Sequence, residues 1–259
     1  GSRTTPFDIF STGRDYTEAT PWHYRFFAPH DVNGLIQLFG GREQFIKALD
    51  DLFTLESDEL TLDVSDVSGL KGQYAHGNEP SHNFAYLYSY AGQPWKTQEL
   101  TRELLDEMYD DTPDGIIGNE DCGQMSAWYV MSSLGFYSVC PGTGEYVLTT
   151  PLFDEAEMAM ANGKVLTIKA NNPARNRYIK SVTLNGRPLT TTFITYAQLL
   201  EGGVLEYELS REPVKDIDLE RPYSLSTGEE ASVPYTTSEF SLFIDSVDST
   251  LGTTTPDAE

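Results

Sequence analysis

Apolar residues change their spacing along the chain near residue 143. Before that point they recur every three or four positions, which is the spacing of one face of an α-helix. After it, apolar and polar residues alternate as they do along a β-strand. The pattern predicts an α+β fold in three parts: helices over 1–142, a small antiparallel β module over 143–213, and an acidic tail over 214–259 that we expect to be partly disordered.

Loops rich in Gly, Asp, Asn or Pro separate the apolar stripes of the first part. Asp31 is placed to cap the first predicted helix, Gly40-Gly41 follows the end of that helix, and Gly92 closes the third. The sequence predicts five helices, centred on residues 35–39, 45–53, 84–91, 97–109 and 124–134.

The second part carries short alternating stretches that are typical of strands. Asn162-Gly163 and Asn185-Gly186 are dipeptides that favour tight hairpin turns. Residues 240–244 in the tail are a candidate for one added strand. The sequence predicts strands at 146–148, 157–160, 165–168, 178–184 and 204–209.

The net charge excludes several classes of partner. The chain has 259 residues, with 17 Lys and Arg against 40 Asp and Glu, and a formal charge of −23. Nucleic acids and anionic lipid headgroups bind cationic surfaces, so we expect neither as a partner. No apolar run reaches the roughly 20 residues of a membrane-spanning helix, and no signal peptide is visible at Gly1-Ser2-Arg3.

Three loops of the helical part concentrate the polar residues that could do chemistry. All four histidines of the chain lie in or beside the first two of these loops. Loop one spans residues 15–24 (DYTEATPWHY), loop two 76–82 (HGNEPSH) and loop three 118–124 (GNEDCGQ).

Glu18 and Asp121 are the candidate catalytic pair. Hydrolysis of a glycosidic bond needs one protonated and one ionised carboxyl group on opposite sides of the sugar. The apolar bulk of Pro21-Trp22 near Glu18 favours the protonated form of a general acid. A helix start after Asp121 favours the ionised form of a base, although an acid at such a position is also an ordinary helix cap.

Asn78 and Glu79 are candidate ligands for a hard cation. Amide and carboxylate oxygens held side by side between a glycine and a proline are ligands of the kind that Ca²⁺ takes. The alternative is an ordinary turn that leads into the next helix. No zinc pattern is present, and Cys122 and Cys140 leave one disulfide or two free thiols as open alternatives.

Together, the three loops and their neighbours resemble glycoside hydrolase family 92. The resemblance is dense over residues 15–142 and weaker over 143–213. It implies a calcium-dependent, inverting exo-α-mannosidase that releases terminal α-linked mannose from mannans or N-glycans. It rests on Tyr16-Thr17-Glu18, Trp22-His23-Tyr24, Pro29-His30-Asp31, His76-Gly77-Asn78-Glu79-Pro80, and Gly118-Asn119-Glu120-Asp121 followed by Gln124, Ser126 and Trp128.

The resemblance also implies roles for individual residues. It places the general acid at Glu18 and the carboxylate that activates water at Asp121. Members often have a second, supporting acid two residues before that base; this chain has Asn119 at that position, and the supporting role passes to Glu120. The resemblance implies that Asn78 and Glu79 hold Ca²⁺ and the sugar, with further sugar contacts from Trp22, His23, His76, His82 and Gln124. His23 stands where many members have Gln.

Members of the family are longer than this chain and have a β-sandwich domain followed by an (α/α)6 barrel. The resemblance implies that the chain holds the second half of the barrel with the closing β module, and that the β-sandwich and the first barrel helices are its missing partners. A half barrel leaves apolar helix faces uncovered, so we expect large exposed patches of Phe, Leu, Trp and Tyr on residues 16–140.

The resemblance further implies a periplasmic, cell-surface or secreted bacterial protein. The alternative to an active enzyme is an incomplete, catalytically inactive carbohydrate-binding or structural fragment.

Overall fold

A helical region and a β-rich region pack together in the described part of the chain. The structure is a computed structural model that describes residues 10, 16, 18–55, 67–216 and 218–227. The candidate strand at 240–244 lies outside these residues. No helix in the described part is both long enough and apolar enough to cross a membrane.

The helical region confirms the predicted helices near 35–39, 45–53, 97–109 and 124–134. The predicted helix at 84–91 is shorter, because a 3-10 turn at Phe84–Tyr86 precedes one turn of α-helix. All residues from 81 to 91 are buried, so packing on every side shapes this segment instead of one amphipathic face. The helices are α1 Pro21–Tyr24, α2 Val32–Leu38, α3 Arg42–Thr54, α4 Leu87–Tyr90, α5 Pro94–Met108 and α6 Gln124–Ser133.

Asp31 caps α2, as predicted, and also holds the returning tail. Its Oδ1 atom accepts from the Gly34 backbone N–H at 3.1 Å, the Ser224 hydroxyl at 2.9 Å and the Ser226 N–H at 2.9 Å. Its Oδ2 atom accepts from the Ser226 hydroxyl at 2.7 Å. Burial raises the pKa of Asp31, but the hydrogen bonds from Ser226, Gly34 and Ser224 outweigh it and leave that pKa below its ordinary value.

The β-rich region contains a five-stranded and a three-stranded sheet. A small hairpin, β1 Leu70–Lys71 with β2 Tyr74–Ala75, lies before loop two. The other elements are β3 Phe136–Tyr137, β4 Glu145–Leu148, β5 Glu155–Ala159, β6 Val165–Ala170, β7 Tyr178–Leu184, β8 Arg187–Pro188, β9 Phe193–Thr195, α7 Tyr196–Glu201 and β10 Gly203–Ser210. The five-stranded sheet has the order β5-β6-β10-β7-β8, and the three-stranded sheet has the order β3-β4-β9.

The prediction of a purely antiparallel module is wrong at one strand pair. Strand β10 is antiparallel to β7 but parallel to β6. Parallel neighbours need a long crossover, and β6 reaches β10 through β7, β8, β9 and α7. Strand β3 precedes residue 142 and pairs with β4 beyond it, and the division of the chain at that residue stays a prediction.

The expectation of large exposed apolar patches on residues 16–140 is wrong for the described residues. The large apolar side chains exposed there are Phe27, Leu38, Leu70 and Val130. The remaining stripes pack around a shared core that includes Phe26, Phe45, Leu49, Leu104 and Trp128.

Helix α5 joins this core to the β-rich region. Gln98 Oε1 accepts from the Ile179 N–H at 2.9 Å, and Arg102 Nη2 donates to the Pro151 carbonyl at 2.9 Å. Gln98 and Arg102 are four positions apart, so both lie on one face of the helix.

Candidate active site

Glu18 of loop one contacts Asn78 of loop two. The Asn78 Nδ2 atom donates to Glu18 Oε2 at 3.1 Å and lies 3.4 Å from the Glu18 carbonyl oxygen. Glu18 has φ 65°, an uncommon angle for a residue other than glycine and one that often marks functional sites. Its side chain is exposed, so Pro21 and Trp22 do not provide the shielding expected from the sequence.

Asn78 and Glu79 begin a 3-10 turn and present unpaired oxygens. Asn78 is 1% exposed, and the Ser81 hydroxyl donates to its carbonyl at 2.7 Å. Asn78 Oδ1 and Glu79 Oε1 are buried without a hydrogen-bond partner in the described part of the chain. Buried oxygens that lack donors fit a hard cation, which takes oxygen ligands.

These two residues do not complete a metal site alone. The described ranges contain no group of three His, Cys, Asp or Glu side chains placed to hold a metal. Calcium takes six to eight oxygen ligands, including backbone carbonyls and water. Asn78 and Glu79 would therefore share a cation with backbone, water or sugar oxygens.

Loop three separates the roles of two adjacent acids. The Glu120 carboxylate accepts from the Ser126 N–H at 3.1 Å and from the Ser126 hydroxyl, so Glu120 caps the start of α6. Hydrogen bonds from the Ser126 side chain and backbone lower the pKa of Glu120. Asn119 and Asp121 are exposed, and the Asp121 carboxylate has no hydrogen bond within the described residues. A helix cap was the alternative role for Asp121, and its neighbour Glu120 makes that cap instead.

Loops two and three approach each other through glycine. Gly118 has φ +82°, and a Cβ atom there would lie 3.2 Å from Gly77 Cα and would meet the Ser68 hydroxyl. Only glycine allows both this backbone angle and this approach without strain. Cys122, in the turn that follows, also has a positive φ of 54°. The thiols of Cys122 and Cys140 are both free.

Comparison with known proteins identifies the family of the chain. Residues 1–211 match the model of the glycosyl hydrolase family 92 catalytic domain. The chain belongs to glycoside hydrolase family 92.

Relatives of this family 92 chain include solved mannosidases. A family 92 α-mannosidase from Bacteroides thetaiotaomicron is 37% identical with a TM-score of 0.79, over 87% of this chain and 30% of that one. A family 92 inverting mannosidase from the same organism is 36% identical with a TM-score of 0.75, over 86% and 32%. An uncharacterized secreted glycosidase from Arthroderma benhamiae is 32% identical over 208 residues, 79% of this chain and 25% of that protein. The chain spans about a third or less of these relatives.

Both histidines of loop two, His76 and His82, are buried. His76 Nδ1 and Nε2 each lie 2.7 Å from a tyrosine hydroxyl, those of Tyr74 and Tyr109. His82 Nε2 lies 2.9 Å from the His76 carbonyl, and its Nδ1 lies 3.2 Å from Gln124 Nε2. Burial lowers the pKa of His76 well below its ordinary value and that of His82 to about 4. With both ring nitrogens engaged, the expected sugar contact does not fit His76 or His82.

Loop one buries its histidine as well. His23 is 0% exposed, and its ring lies 5.3 Å from Phe84 and 6.5 Å from Tyr74 between centroids. It therefore does not fit the expected contact with a sugar. Trp22 is half-buried, and the Arg25 guanidinium lies 4.1 Å from its ring centroid, which covers one face that a sugar could stack on.

Sequence reasoning missed three tyrosines that contact candidate site residues. Tyr74, Tyr109 and Tyr137 bind His76 or Gln124, although none lies in the three loops. The chain has 15 tyrosines, and nothing in their sequence positions marks these three. The fold brings Tyr109 and Tyr137 to the loops, whereas Tyr74 lies two positions before loop two in the sequence.

A separate groove lies far from this chemistry in sequence. It has a volume of about 570 Å³ on the outer face of the five-stranded sheet, with Asp154, Lys169, Glu206 and Glu208 among its lining residues. None of the predicted site residues lines it.

Proposed function

We propose that this family 92 chain carries the catalytic carboxylates of a calcium-dependent, inverting exo-α-mannosidase. The substrate is terminal α-linked mannose in mannans or N-glycans. The observation that carries the proposal is the bond between Glu18 and Asn78, next to the unpaired oxygens of Asn78 and Glu79. In this proposal the helical region is the second half of an (α/α)6 barrel, and a β-sandwich and the first barrel helices complete the pocket.

Glu18 acts as the general acid in the proposed reaction. The Asn78 amide holds one oxygen of its carboxyl group, which leaves the other to give a proton to the departing sugar oxygen. Asp121 acts as the general base. Its exposed carboxylate has no competing hydrogen bond in the described part of the chain, so it is available to take a proton from the attacking water. Inversion needs about 6.5–9.5 Å between the two carboxyl groups to admit this water.

Asn78 and Glu79 are the residues that would hold Ca²⁺. When bound, the ion supplies positive charge that binds sugar hydroxyls and favours a distorted ring. Asn78 contacts both Glu18 and the cation position, so it also places the acid beside the bound sugar. A secreted, periplasmic or cell-surface location suits a glycan substrate, and one relative is named as secreted.

Replacing Asp121 with Asn tests the base. Asn has nearly the same size but cannot accept the proton, so kcat should fall by about 10²–10⁴-fold while KM changes little. The measurement is release of 4-nitrophenol from 4-nitrophenyl α-mannoside, with NMR of the first anomer formed. Asp114→Asn is the matched control, since Asp114 is an exposed acid outside the three loops. Wild-type rates for Asp121→Asn, or α-mannose as first product, would contradict the mechanism.

Calcium removal tests the metal. Excess chelator should abolish hydrolysis and added Ca²⁺ should restore it, while Mg²⁺ should substitute poorly because it demands a smaller octahedral site. Asn78→Ala should raise the Ca²⁺ concentration needed for half-maximal rate. Rates that do not change in chelator would show that Asn78 and Glu79 form an ordinary turn.

The short span of the chain favours a second candidate function. It covers only 30% of a solved family 92 mannosidase, which suits an inactive carbohydrate-binding or structural part. Calorimetry with mannose separates the two candidates. Binding without any hydrolysis would support the second, and turnover by the 259-residue chain would exclude it.

A further inference from the structure

His82 is held by helix α6 at two points. Gln124 Nε2 donates to His82 Nδ1 at 3.2 Å, and Trp128 Nε1 donates to the His82 carbonyl at 2.9 Å. Gln124 and Trp128 are four residues apart, so both contacts come from one face of the helix. His82 itself follows the turn Glu79–Ser81 directly. One residue therefore joins the candidate cation turn to α6.

Each hydrogen atom at this junction has one assignment. The His76 carbonyl can only accept, so His82 carries its proton on Nε2, which lies 2.9 Å from that oxygen. The Nδ1 atom of the neutral ring is then an acceptor for Gln124. The second hydrogen of the Gln124 amide goes to the Tyr137 hydroxyl at 2.9 Å. The amide has no hydrogen left, so the side chain is fixed from two sides.

A second brace reaches the same end of α6. The Tyr109 hydroxyl donates to the Met125 carbonyl at 3.1 Å, so it must accept from His76 Nε2. His76 Nδ1 then accepts from the Tyr74 hydroxyl. Met125 is the second residue of α6, and the two braces thus act on adjacent residues of its first turn.

The backbone just before α6 needs such support. The turn Asp121–Gly123 carries positive φ angles of 54° at Cys122 and 75° at Gly123. A strained backbone keeps one conformation only when its surroundings fix it. Gln124 is the next residue, and its side chain anchors the C-terminal side of this turn, while Glu120 anchors the other side through Ser126.

We propose that His82 is a positioning residue that sets the Asp121 turn against the Asn78–Glu79 turn through its bonds with Gln124 and Trp128. Its link to catalysis rests on the proposed function, in which Asp121 is the base. A displacement of a reacting group by about 1 Å can cost about 10²-fold in rate, so the effect is measurable.

Cys122 provides a probe inside the turn. Its thiol is exposed, and a nitroxide attached there in a Cys140→Ser background reports the mobility of the turn by electron paramagnetic resonance. Gln124→Met keeps the length of the side chain and removes both donors. We expect it to add a mobile component to the spectrum, and Tyr137→Phe to add a smaller one.

Tyr86→Phe is the matched control, because it removes a buried hydrogen bond of 2.7 Å to Ser132 at the far end of α6. Circular dichroism confirms that each variant is folded. The control should leave the nitroxide spectrum unchanged. An unchanged spectrum in Gln124→Met, or an equal change in Tyr86→Phe, would overturn the positioning role whether or not the chain hydrolyses mannosides.

Kinetics then test the link to the base. In Gln124→Met, kcat should fall by about 10²-fold with KM nearly unchanged, because the turn moves and the sugar site does not. A rise in KM with constant kcat would overturn the proposal and would make Gln124 a sugar contact. A mobile turn with wild-type kcat would overturn the link between this junction and catalysis.

Discussion

Replacing His23 with Phe should change the pH dependence of the free energy of unfolding. The His23 ring is fully buried beside Phe84 and Tyr74, and neither ring nitrogen has a hydrogen-bond partner within the described residues. Burial, helped by the charge of His82, lowers the pKa of His23 from 6.5 to about 3. The folded chain therefore keeps this ring neutral under conditions where the unfolded chain protonates it.

The size and sign of the effect follow from this pKa. Below pH 6.5 the unfolded state binds a proton that the folded state refuses, so stability is lost as the pH falls through that value. Each pH unit is worth about 1.4 kcal/mol, which makes the loss from His23 about 2 kcal/mol at pH 5 relative to pH 8. Phe lacks this loss and also removes two buried unsatisfied nitrogens, each costing about 1–3 kcal/mol.

Urea unfolding at pH 8, 7, 6 and 5 measures this difference. The free energy of unfolding of His23→Phe minus that of the wild type should grow by about 2 kcal/mol between pH 8 and pH 5. His30→Gln is the control for loss of a histidine at an exposed position. A difference between His23→Phe and wild type that is the same at every pH would refute the reasoning.

Two further predictions concern the supports around the site. Asp31→Ala should lower the free energy of unfolding, measured in urea, by about 2–3 kcal/mol, because Gly34, Ser224 and Ser226 lose their hydrogen-bond acceptor. The control Asp111→Ala, at an exposed position, should change this free energy little. Gly118→Ala should destabilise the chain more than Gly163→Ala and should also lower kcat. Both glycines have positive φ, but only at Gly118 would the new Cβ meet neighbouring atoms; equal losses would contradict the close approach of loops two and three.

Local patterns predicted most helices and strands of this fold. Asp31 followed by an apolar stripe predicted α2, and Asn185-Gly186 predicted the turn after β7, where these residues have φ of 52° and 75°. The parallel pairing of β10 with β6 was not predictable from alternation, because a strand alternates in the same way whichever direction its neighbour runs. Strands of two residues, such as β3 and β8, are too short to show a period.

The sequence predicted which loops come together better than it predicted what each residue does. Loops one and two meet at Glu18 and Asn78, and loops two and three meet at Gly77 and Gly118. His23, His76 and His82 were expected at the sugar, yet all three are buried, and His76 bonds with Tyr109 from a distant segment. Burial depends on long-range packing, which the local composition of a loop does not report.

Residues close together in one motif have different roles, which depend on whether their side chains face the protein or the solvent. Glu120 turns back to Ser126 and caps α6, while the exposed Asp121 keeps its carboxylate unbonded within the described residues. In loop two, Glu79 keeps an unpaired oxygen. His82, three positions later, uses both ring nitrogens in hydrogen bonds within the protein. A dense motif therefore does not mean a dense set of substrate contacts. Substitutions at the buried residues of such a motif should act by displacing its exposed residues. They should therefore lower kcat before they change KM.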